Sequence, residues 1–400
     1  MKKKIWAALL CALMMIAACA CAEVTLNEET KGDSVTRRYW TDESGTVVNG
    51  PMGWAVVTYT SKGATVTETY YNAEGAVTTT ADGYAMRQVK YGIKSQPEEI
   101  IYLDENGEKT ECIGGYARVY IYYITAGKTR SVQYFSADEP LVNVPALGYA
   151  VKQNEYRGTT LTGTSYLDKD GNLVDTTLGY AKMIQSVNKQ NQIKSVRFEH
   201  ADGSAANGPD GWASLTRELD KNKREKSVKF YDLNGNITDR GLGWAYETKT
   251  WSGKTTYTLK RFDTQDNQVS MPGGAAAVKV EMNRDEQVIR ETNLDASGNA
   301  TADGDGIIAR AYTYDADGRM TQVTYTDAEK NAVAAADGTA GWKEIVDEDG
   351  FVTSRVYLDT AGQPVNRTDG VSEIRYRYDE NHAVSAVEYY DVNGVLVKTE

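Results

Sequence analysis

Histidine and cysteine are both scarce in this chain of 400 residues. The two histidines, His200 and His382, lie far apart in sequence, and Cys112 is the only cysteine clear of an N-terminal apolar segment. Nucleophilic and zinc-dependent sites need several such side chains in one place. We therefore predict no catalytic residue, no metal site and no cofactor, and we expect Cys112 either to fill space or to lie unreactive in a loop.

The first 22 residues have the features of a secretory signal. Lysines at 2–4 precede an apolar run at 5–18 that is short for a bilayer span, and small residues at 20–22 supply a cleavage pattern. A second pattern at 16–19 resembles a bacterial lipoprotein box and would leave Cys19 as a lipid-bearing N-terminus. We favour cleavage before Glu23, because a strand-like segment rather than a flexible Gly/Ser tether follows Cys19.

The charge balance limits the classes of partner. Removing the signal takes away three lysines and no acid, which moves the net charge from −12 to −15. Nucleic acid and anionic membranes require clustered cations, so we predict neither as a partner. No second apolar segment or C-terminal sorting tail follows, and no cysteine pair is available to cross-link the fold. We expect a secreted or cell-surface protein, soluble or tethered at its N-terminus, that is stabilised by packing.

Helical patterning is missing as well, and a repeat takes its place. No apolar i, i+3, i+4 pattern is sustained, whereas a phrase of one aromatic, several polar residues and glycine returns with a period of 32 residues. We call the glycine of this phrase the register position; it falls at 45, 75, 107, 139, 171, 203, 235, 267, 298, 330, 362 and 394. The exceptions to glycine are Glu139, Asn267 and Lys330. An aromatic stands five residues earlier in every copy except the one with Asn293.

Each repeat contains two strands and two turns. Gly235 closes a polar turn, and a second glycine, Gly243, follows eight residues later. Strands are predicted at 246–251 and up to Phe262, on either side of a tight turn at 252–254. The second glycine recurs at the same offset, with slips at Gly148, Gly274 and Gly341. Period-two alternation within the strands gives one apolar face and one charged face, which is typical of antiparallel strands half exposed to water.

These patterns predict an all-β fold: an elongated superhelical array of antiparallel β-hairpin repeats, with about 11–12 units of 32 residues. Sheets of more than about ten strands coil, split or close, which is why we expect coiling. No linker or composition shift interrupts the chain. We therefore predict a single array over residues 23–400.

Two families of repeat proteins share features with this phrase. Residues 314–319 and 378–381 resemble the tyrosine–aspartate (YD) repeats of bacterial Rhs-type surface and toxin proteins. The aromatic–glycine phrase with its trailing Gly-Trp, as in 231–244, is similar to the aromatic repeats of choline-binding and glucan-binding modules. The period is longer here than in either family, and the chain lacks an Rhs core or toxin domain. The resemblance implies a hairpin array and a surface role.

Acidic turns that begin at Asp168, Asp315 and Asp347 have the look of calcium loops. A calcium loop of the EF-hand type needs a bidentate glutamate at its twelfth position. Those positions carry Gly, Thr and Leu in the three turns. We therefore predict that they are hairpin turns.

The best candidate binding residues are the rings that directly follow the second glycine. They are Trp54, Tyr84, Tyr116, Tyr149, Tyr180, Trp212 and Trp244, with Trp342 after a slip. One ring per repeat, spaced by a hairpin width of roughly 10 Å, could stack on the sugar rings of a polysaccharide. The alternative is that each ring packs under the neighbouring hairpin, as periodic apolar positions in solenoids do. The ring is absent after Gly274, Gly306 and Gly370, which confines any binding strip to the first seven repeats.

The sequence thus predicts an exported, non-catalytic bacterial repeat protein that presents an extended surface for binding proteins or cell-envelope glycans. The alternative is a dedicated polysaccharide-binding or cell-wall-binding module that uses the Trp/Tyr ladder. An enzyme site on an edge of the array is not favoured, because the residue types that catalysis needs are scarce.

Overall fold

The computed structural model describes residues 24–32, 34–125, 127–347, 350–378 and 383–400. The chain divides into two compact units, Met1–Pro209 and Asp210–Glu400. The predicted signal, the lipidation candidate Cys19 and His382 lie outside the described residues. That residues 23–400 form a single array stays a prediction.

In its described residues, the first unit consists of β-strands and one short 3-10 helix at Ile93–Ser95. The strands are β1 (Thr25–Lys31), β2 (Ser34–Thr41), β3 (Val56–Lys62), β4 (Thr65–Tyr71), β5 (Met86–Tyr91), β6 (Pro97–Leu103), β7 (Arg118–Tyr123), β8 (Thr129–Phe135), β9 (Val151–Arg157), β10 (Thr160–Leu167), β11 (Lys182–Val187), β12 (Ile193–Glu199) and β13 (Ala205–Ala206).

The described part of the second unit contains strands and turns. The strands are β14 (Ser214–Leu219), β15 (Glu225–Tyr231), β16 (Tyr246–Trp251), β17 (Thr256–Phe262), β18 (Gln268–Val269), β19 (Ala277–Met282), β20 (Val288–Leu294), β21 (Ala309–Tyr314), β22 (Met320–Thr326), β23 (Gly341–Val346), β24 (Val352–Leu358), β25 (Glu373–Tyr378), β26 (Val384–Tyr390) and β27 (Leu396–Thr399).

Within each unit, strands pair antiparallel with their neighbours along the chain. In the first unit β3 pairs with β4, and β4 pairs in turn with β5. In the described residues, β1 pairs with β2 alone in the first unit, and β27 pairs with β26 alone in the second. The predicted all-β fold of antiparallel hairpin repeats is confirmed.

In most repeats the side chain that begins the register turn also stabilises it, as Asp232 shows. Asp232 Oδ1 accepts the backbone N–H of Asn234 at 2.9 Å and that of Asn236 at 2.8 Å. Gly235 lies between them with φ 79°, in the left-handed region where glycine carries no steric cost. Glu139 and Lys330 hold the same conformation without being glycine, with φ 79° and 77°.

The eighth repeat is one residue shorter than predicted. Its left-handed residue is Asp266, with φ 65°, and not Asn267, so the predicted register position is wrong by one residue. Because side chains alternate across a strand, a shift of one residue moves them to the opposite face. Phe262 therefore pairs with Tyr246, and Arg261 takes the position that Phe230 holds one repeat earlier.

Two of the three predicted slips of the second glycine disappear with this correction. Gly274 lies eight residues after Asp266 and needs no slip. Gly338, with φ 88°, is the turn glycine eight residues after Lys330, whereas Gly341 lies in β23. Trp342 is consequently a strand residue, and its assignment to the ring position was wrong.

In five of the hairpins, an aromatic side chain at the end of a strand forms a hydrogen bond to the hairpin before it. The Tyr123 hydroxyl donates to the Pro97 carbonyl at 2.8 Å. Pro97 faces Tyr91, where a β-bulge shifts the pairing of β5 and β6. The same contact, at 2.7–2.8 Å, joins Tyr156 to Thr129, Trp251 to Glu225, Tyr314 to Val288 and Tyr378 to Val352. A bulge leaves a residue out of the ladder of hydrogen bonds, and the next hairpin supplies a partner for a carbonyl beside it.

Candidate functional site

In the first unit, the candidate rings belong to one continuous ladder with the aromatics of the register phrase. Adjacent centroids lie 4.7–6.2 Å apart, and the ring planes are tilted or edge-to-face. The order is Trp40, Trp54, Tyr70, Tyr84, Tyr102, Tyr116, Tyr134, Tyr149, Tyr166, Tyr180 and Phe198. These are the preferred arrangements of aromatic pairs. A register ring therefore fills the space between each two successive candidate rings.

The candidate rings are mostly covered. Tyr84, Tyr149, Tyr180 and Trp212 are at most 9% exposed. Trp54, Tyr116 and Trp244 are half-buried. The structure thus places all seven in the packing between hairpins, and their role in stacking on a glycan stays a prediction.

The alanine after each candidate ring takes part in the pairing of neighbouring strands. Ala85 is fully buried; its N–H donates to the Leu103 carbonyl at 2.8 Å, and its carbonyl accepts from Tyr70 at 3.0 Å. It therefore continues the pairing between neighbouring strands beyond β5. With no exposed surface around Ala85, only a small side chain is accommodated there.

In the second unit the ladder ends in cationic groups. Phe230 lies between Trp212 and Trp244, with centroids 5.7 and 6.0 Å away. The Arg261 guanidinium then lies 4.4 Å from the Trp244 centroid, and that of Arg240 lies 4.6 Å from it. Cation–π contacts thus replace the next ring, Phe262. Because the eighth repeat is one residue shorter, Phe262 lies on the opposite face of the strand.

Small or aliphatic side chains occupy the ring position in the later repeats. They are Ala275, Ile307, Thr339 and Val371, which are 2%, 3%, 1% and 3% exposed. Thr339 stands where the sequence pattern had suggested Trp342. The position remains a core position whether or not it carries a ring.

Burial changes the titration of the ladder phenols. It raises the pKa of Tyr84 to about 12. Burial is also the first cause of the raised pKa of Tyr102, Tyr134 and Tyr166. These phenols are held neutral, as expected for rings inside a packed ladder.

Cys112 and His200, the scarce nucleophilic and basic groups, both lie in turns. Cys112 is buried in the turn before Tyr116, and burial raises the pKa of its thiol. His200 begins a register turn, and its Nδ1 lies 2.8 Å from Asp175 Oδ2 on the surface. The expected place of Cys112 in a loop is confirmed, and the absence of catalysis stays a prediction.

In the acidic turns, the first aspartate accepts hydrogen bonds from backbone N–H groups of the same turn. Asp168 Oδ1 accepts N–H groups of Asp170 and Asn172 at 2.9 and 2.8 Å. Asp315 Oδ1 does the same for Asp317 and Arg319 at 3.0 and 2.9 Å. Both are therefore hairpin turns, as predicted. Within the part of the chain that the structure describes, no group of three or more His, Cys, Asp or Glu is placed to hold a metal ion.

A cleft of about 690 Å³ opens at the hairpin tips of the first unit. Its walls include Arg130, Gln153, Asn154, Glu155 and Tyr156. Asn154 Nδ2 and the Tyr156 hydroxyl both donate to the Thr129 carbonyl, at 3.0 and 2.8 Å, which fixes this wall. The cleft was not predicted from the sequence. The recurring strand-end aromatic that includes Tyr156 was an available signal for its wall.

Comparisons with known proteins identify distantly similar solved structures but no family. No family model matches the chain, and no curated protein matches it. The crystal structure of TcdB2-TccC3-Cdc42 matches with 12% identity and a TM-score of 0.32, over 93% of this chain and 21% of that one. The crystal structure of TcdB2-TccC3-TEV matches with 12% identity and a TM-score of 0.30, over the same shares.

A third solved structure also matches, the Photorhabdus luminescens Tc holotoxin pore with a mutated TccC3. Its identity is 10% and its TM-score 0.12, over 91% of this chain and 29% of that one. This chain therefore spans less than a third of the length of each of these three structures. None of the described residues forms a helix long and apolar enough to cross a membrane. The similarity is a distant structural one to the TcdB2-TccC3 toxin complex.

Proposed function

We propose that this chain is an exported, non-catalytic repeat protein that presents a repeated surface for binding proteins or envelope glycans. The observation that supports it best is the division of labour within each repeat. The rings of the ladder are buried or half-buried and the alanines beside them are buried, whereas the residues of the hairpin tips are exposed and differ from repeat to repeat. Repeat proteins commonly hold a constant core and bind through variable positions on it.

A capture experiment with the mature chain tests this proposal. The chain from Glu23 onward, immobilised at its C-terminus, is exposed to solubilised envelope proteins and to purified cell-wall glycan. We expect saturable retention of one of these classes, and heat-unfolded chain serves as the control. No retention of either class by folded protein would contradict the proposal.

The second candidate is a dedicated polysaccharide-binding module that uses the ladder. The half-buried state of Trp54, Tyr116 and Trp244 favours it, because part of each ring reaches solvent. Glycan binding that is lost in Trp54→Ala and Trp244→Ala variants with native circular dichroism would support this candidate. Undiminished binding in both folded variants would exclude it.

The kinship with YD repeats belongs to the same proposal. Its support is the Tyr-Asp phrase at 314–319, which forms a hairpin turn closed by Asp315. A YD-type repeat is expected to tolerate removal of a whole 32-residue hairpin. A variant without residues 310–341 that does not fold would contradict the kinship.

A further inference from the structure

In the first unit, the loops at the two ends of the strands carry opposite charge, and we call each row of loops an edge. The connections that contain the register turns lie at one edge, and the hairpin tips between β3 and β4, β5 and β6, β7 and β8, β9 and β10, and β11 and β12 lie at the other. Exposed acids at the register edge include Glu43, Glu74, Glu105, Glu108, Asp138, Asp170 and Asp202. Exposed cations at the tips are Lys62, Lys90, Lys94, Lys128, Arg130, Arg157, Lys189 and Lys194. We call this second set the basic edge.

Several cations of the basic edge are not neutralised by acids of the chain. Within the described residues, Lys62, Lys128 and Lys189 form no ion pair. Among the residues that the structure describes, Glu99 in β6 forms an ion pair with Arg118, at 2.8 Å, and not with a cation of the basic edge. An otherwise acidic chain thus keeps a row of available positive charge, which attracts anions most strongly at low ionic strength.

Neighbouring tips are fixed relative to one another by hydrogen bonds. Gln96 Nε2 donates to the Gly127 carbonyl at 3.1 Å, and Arg157 Nη1 donates to the Asn188 carbonyl at 3.2 Å. Successive tips follow at two strand spacings, or about 10 Å. The cations therefore form a periodic row on a fixed backbone, which suits a linear polyanion better than a single small ion.

The cleft lies in the middle of this row and indicates the kind of polyanion. Arg130 offers a guanidinium for a carboxylate, while Gln153 and Glu155 offer an amide and an acceptor for hydroxyl groups. Tyr156 adds a ring against which a sugar can pack. A chain that alternates hydroxyls and carboxylates matches this set, whereas a polyphosphate or a lipid surface uses only the charges.

We propose that the basic edge of the first unit binds an acidic polysaccharide, a linear glycan with uronic acid or similar carboxylates. The glycan lies along the tips, with one of its residues in the cleft at Arg130 and Tyr156. This inference rests on the proposed surface-binding function and names its ligand class.

Matched pairs of lysine substitutions test the proposal. The double variant Lys128→Gln, Lys189→Gln removes two charges from the basic edge, and Lys109→Gln, Lys169→Gln removes two from the register edge. Binding of polygalacturonate to the mature chain is measured by calorimetry at low and at high ionic strength. We expect the first variant to weaken binding about tenfold and the second to change it less than about twofold. Equal effects of the two variants would overturn the proposal.

Other polymers test whether the basic edge recognises the carboxylates of a glycan or any negatively charged polymer. Dextran, which is neutral, is expected not to bind, and polyphosphate is expected to bind more weakly and without sensitivity to Arg130→Gln. The same substitution is expected to weaken polygalacturonate binding about fivefold. Equal or tighter binding of polyphosphate, duplex DNA or anionic vesicles would assign the edge to a different partner and overturn the proposal.

The envelope capture described above separates this inference from the function on which it rests. If envelope material is retained equally by wild type and by the Lys128→Gln, Lys189→Gln variant, and polygalacturonate does not bind, the acidic-glycan inference alone is wrong. If folded protein retains no envelope material at all, the proposed function fails as well.

Discussion

At the residue scale, the ladder tyrosines are neutral groups that the fold keeps from ionising. Burial raises the pKa of Tyr84 to about 12, above the value of about 10 for a free phenol. The folded state therefore binds this proton more tightly than the unfolded chain. The resulting stabilisation is fully present below pH about 10 and is lost as pH rises through the folded pKa.

We predict that the ladder phenols ionise late and together with alkaline unfolding. Phenolate absorbance and circular dichroism, followed in one titration, should show a delayed step that coincides with loss of structure. Tyr84→Phe should reduce the amplitude of that step. Complete ionisation near the free-tyrosine pKa with the fold intact would contradict the buried ladder.

The aspartates that begin the register turns titrate in the opposite sense. Backbone N–H groups, first that of Asn236, lower the pKa of Asp232. Their stabilisation is present above the unfolded pKa of about 4 and is lost as pH falls through the folded pKa. Asn72 holds an equivalent turn with a neutral side chain, accepting the Ala76 N–H at 2.9 Å.

We therefore predict that Asp232→Asn keeps the turn and removes its pH dependence. Urea unfolding at neutral pH should show Asp232→Ala to be less stable than Asp232→Asn, because alanine leaves two N–H groups without their acceptor. The difference in stability between wild type and Asp232→Asn should shrink in acid. A difference that grows on acidification would contradict the assignment.

At the element scale, the strand-end aromatics join one hairpin to the next. Tyr123 and Tyr122 are adjacent in β7, but only the Tyr123 hydroxyl has a described partner, the Pro97 carbonyl; Tyr122 is 46% exposed. We predict that Tyr123→Phe lowers the free energy of unfolding by about 1 kcal/mol, the net value of one such hydrogen bond. Tyr122→Phe is the control and should stay within about 0.5 kcal/mol. Equal effects in urea denaturation would contradict the contact.

The ladder should respond strongly to loss of a ring. Tyr166 is 7% exposed and contacts Tyr149 and Tyr180, with centroids 4.8 and 5.8 Å away. Tyr166→Ala is predicted to cost about 3–5 kcal/mol of unfolding free energy, because a large aromatic leaves a cavity. The same measurement on Tyr122→Ala should show a much smaller loss. A small effect at Tyr166 would place the ladder outside the core.

At the scale of the whole molecule, the hairpin repeat and its turns were predictable because they depend on local chemistry. Gly235 and Asp232 are recognisable by composition and spacing alone. The shorter eighth repeat could not be predicted, because Phe262 satisfies the aromatic pattern of the sequence. In the structure, the repeat is one residue shorter, and Phe262 therefore lies on the opposite face. The change is seen only in the structure, in the pairing of Arg261 with Glu247 and in the left-handed conformation of Asp266.

The candidate site was predictable in position but not in surroundings. The seven rings lie where the repeat puts them, yet the sequence does not tell that Tyr70 fills the gap between Trp54 and Tyr84. That depends on how hairpins stack, which is a non-local property. The basic edge was missed for the same reason, because its lysines converge only when alternate turns are assigned to opposite edges.

We propose that the ladder is scaffold and that the hairpin tips bind. Amide hydrogen exchange of the mature chain, measured with and without polygalacturonate, distinguishes these two roles. We predict slowed exchange at the tips, in residues 62–65, 124–130, 157–160 and 188–194, and no change at the ring-bearing turns 50–54, 80–84 and 112–116. Protection of those turns with unaltered tips would contradict the claim.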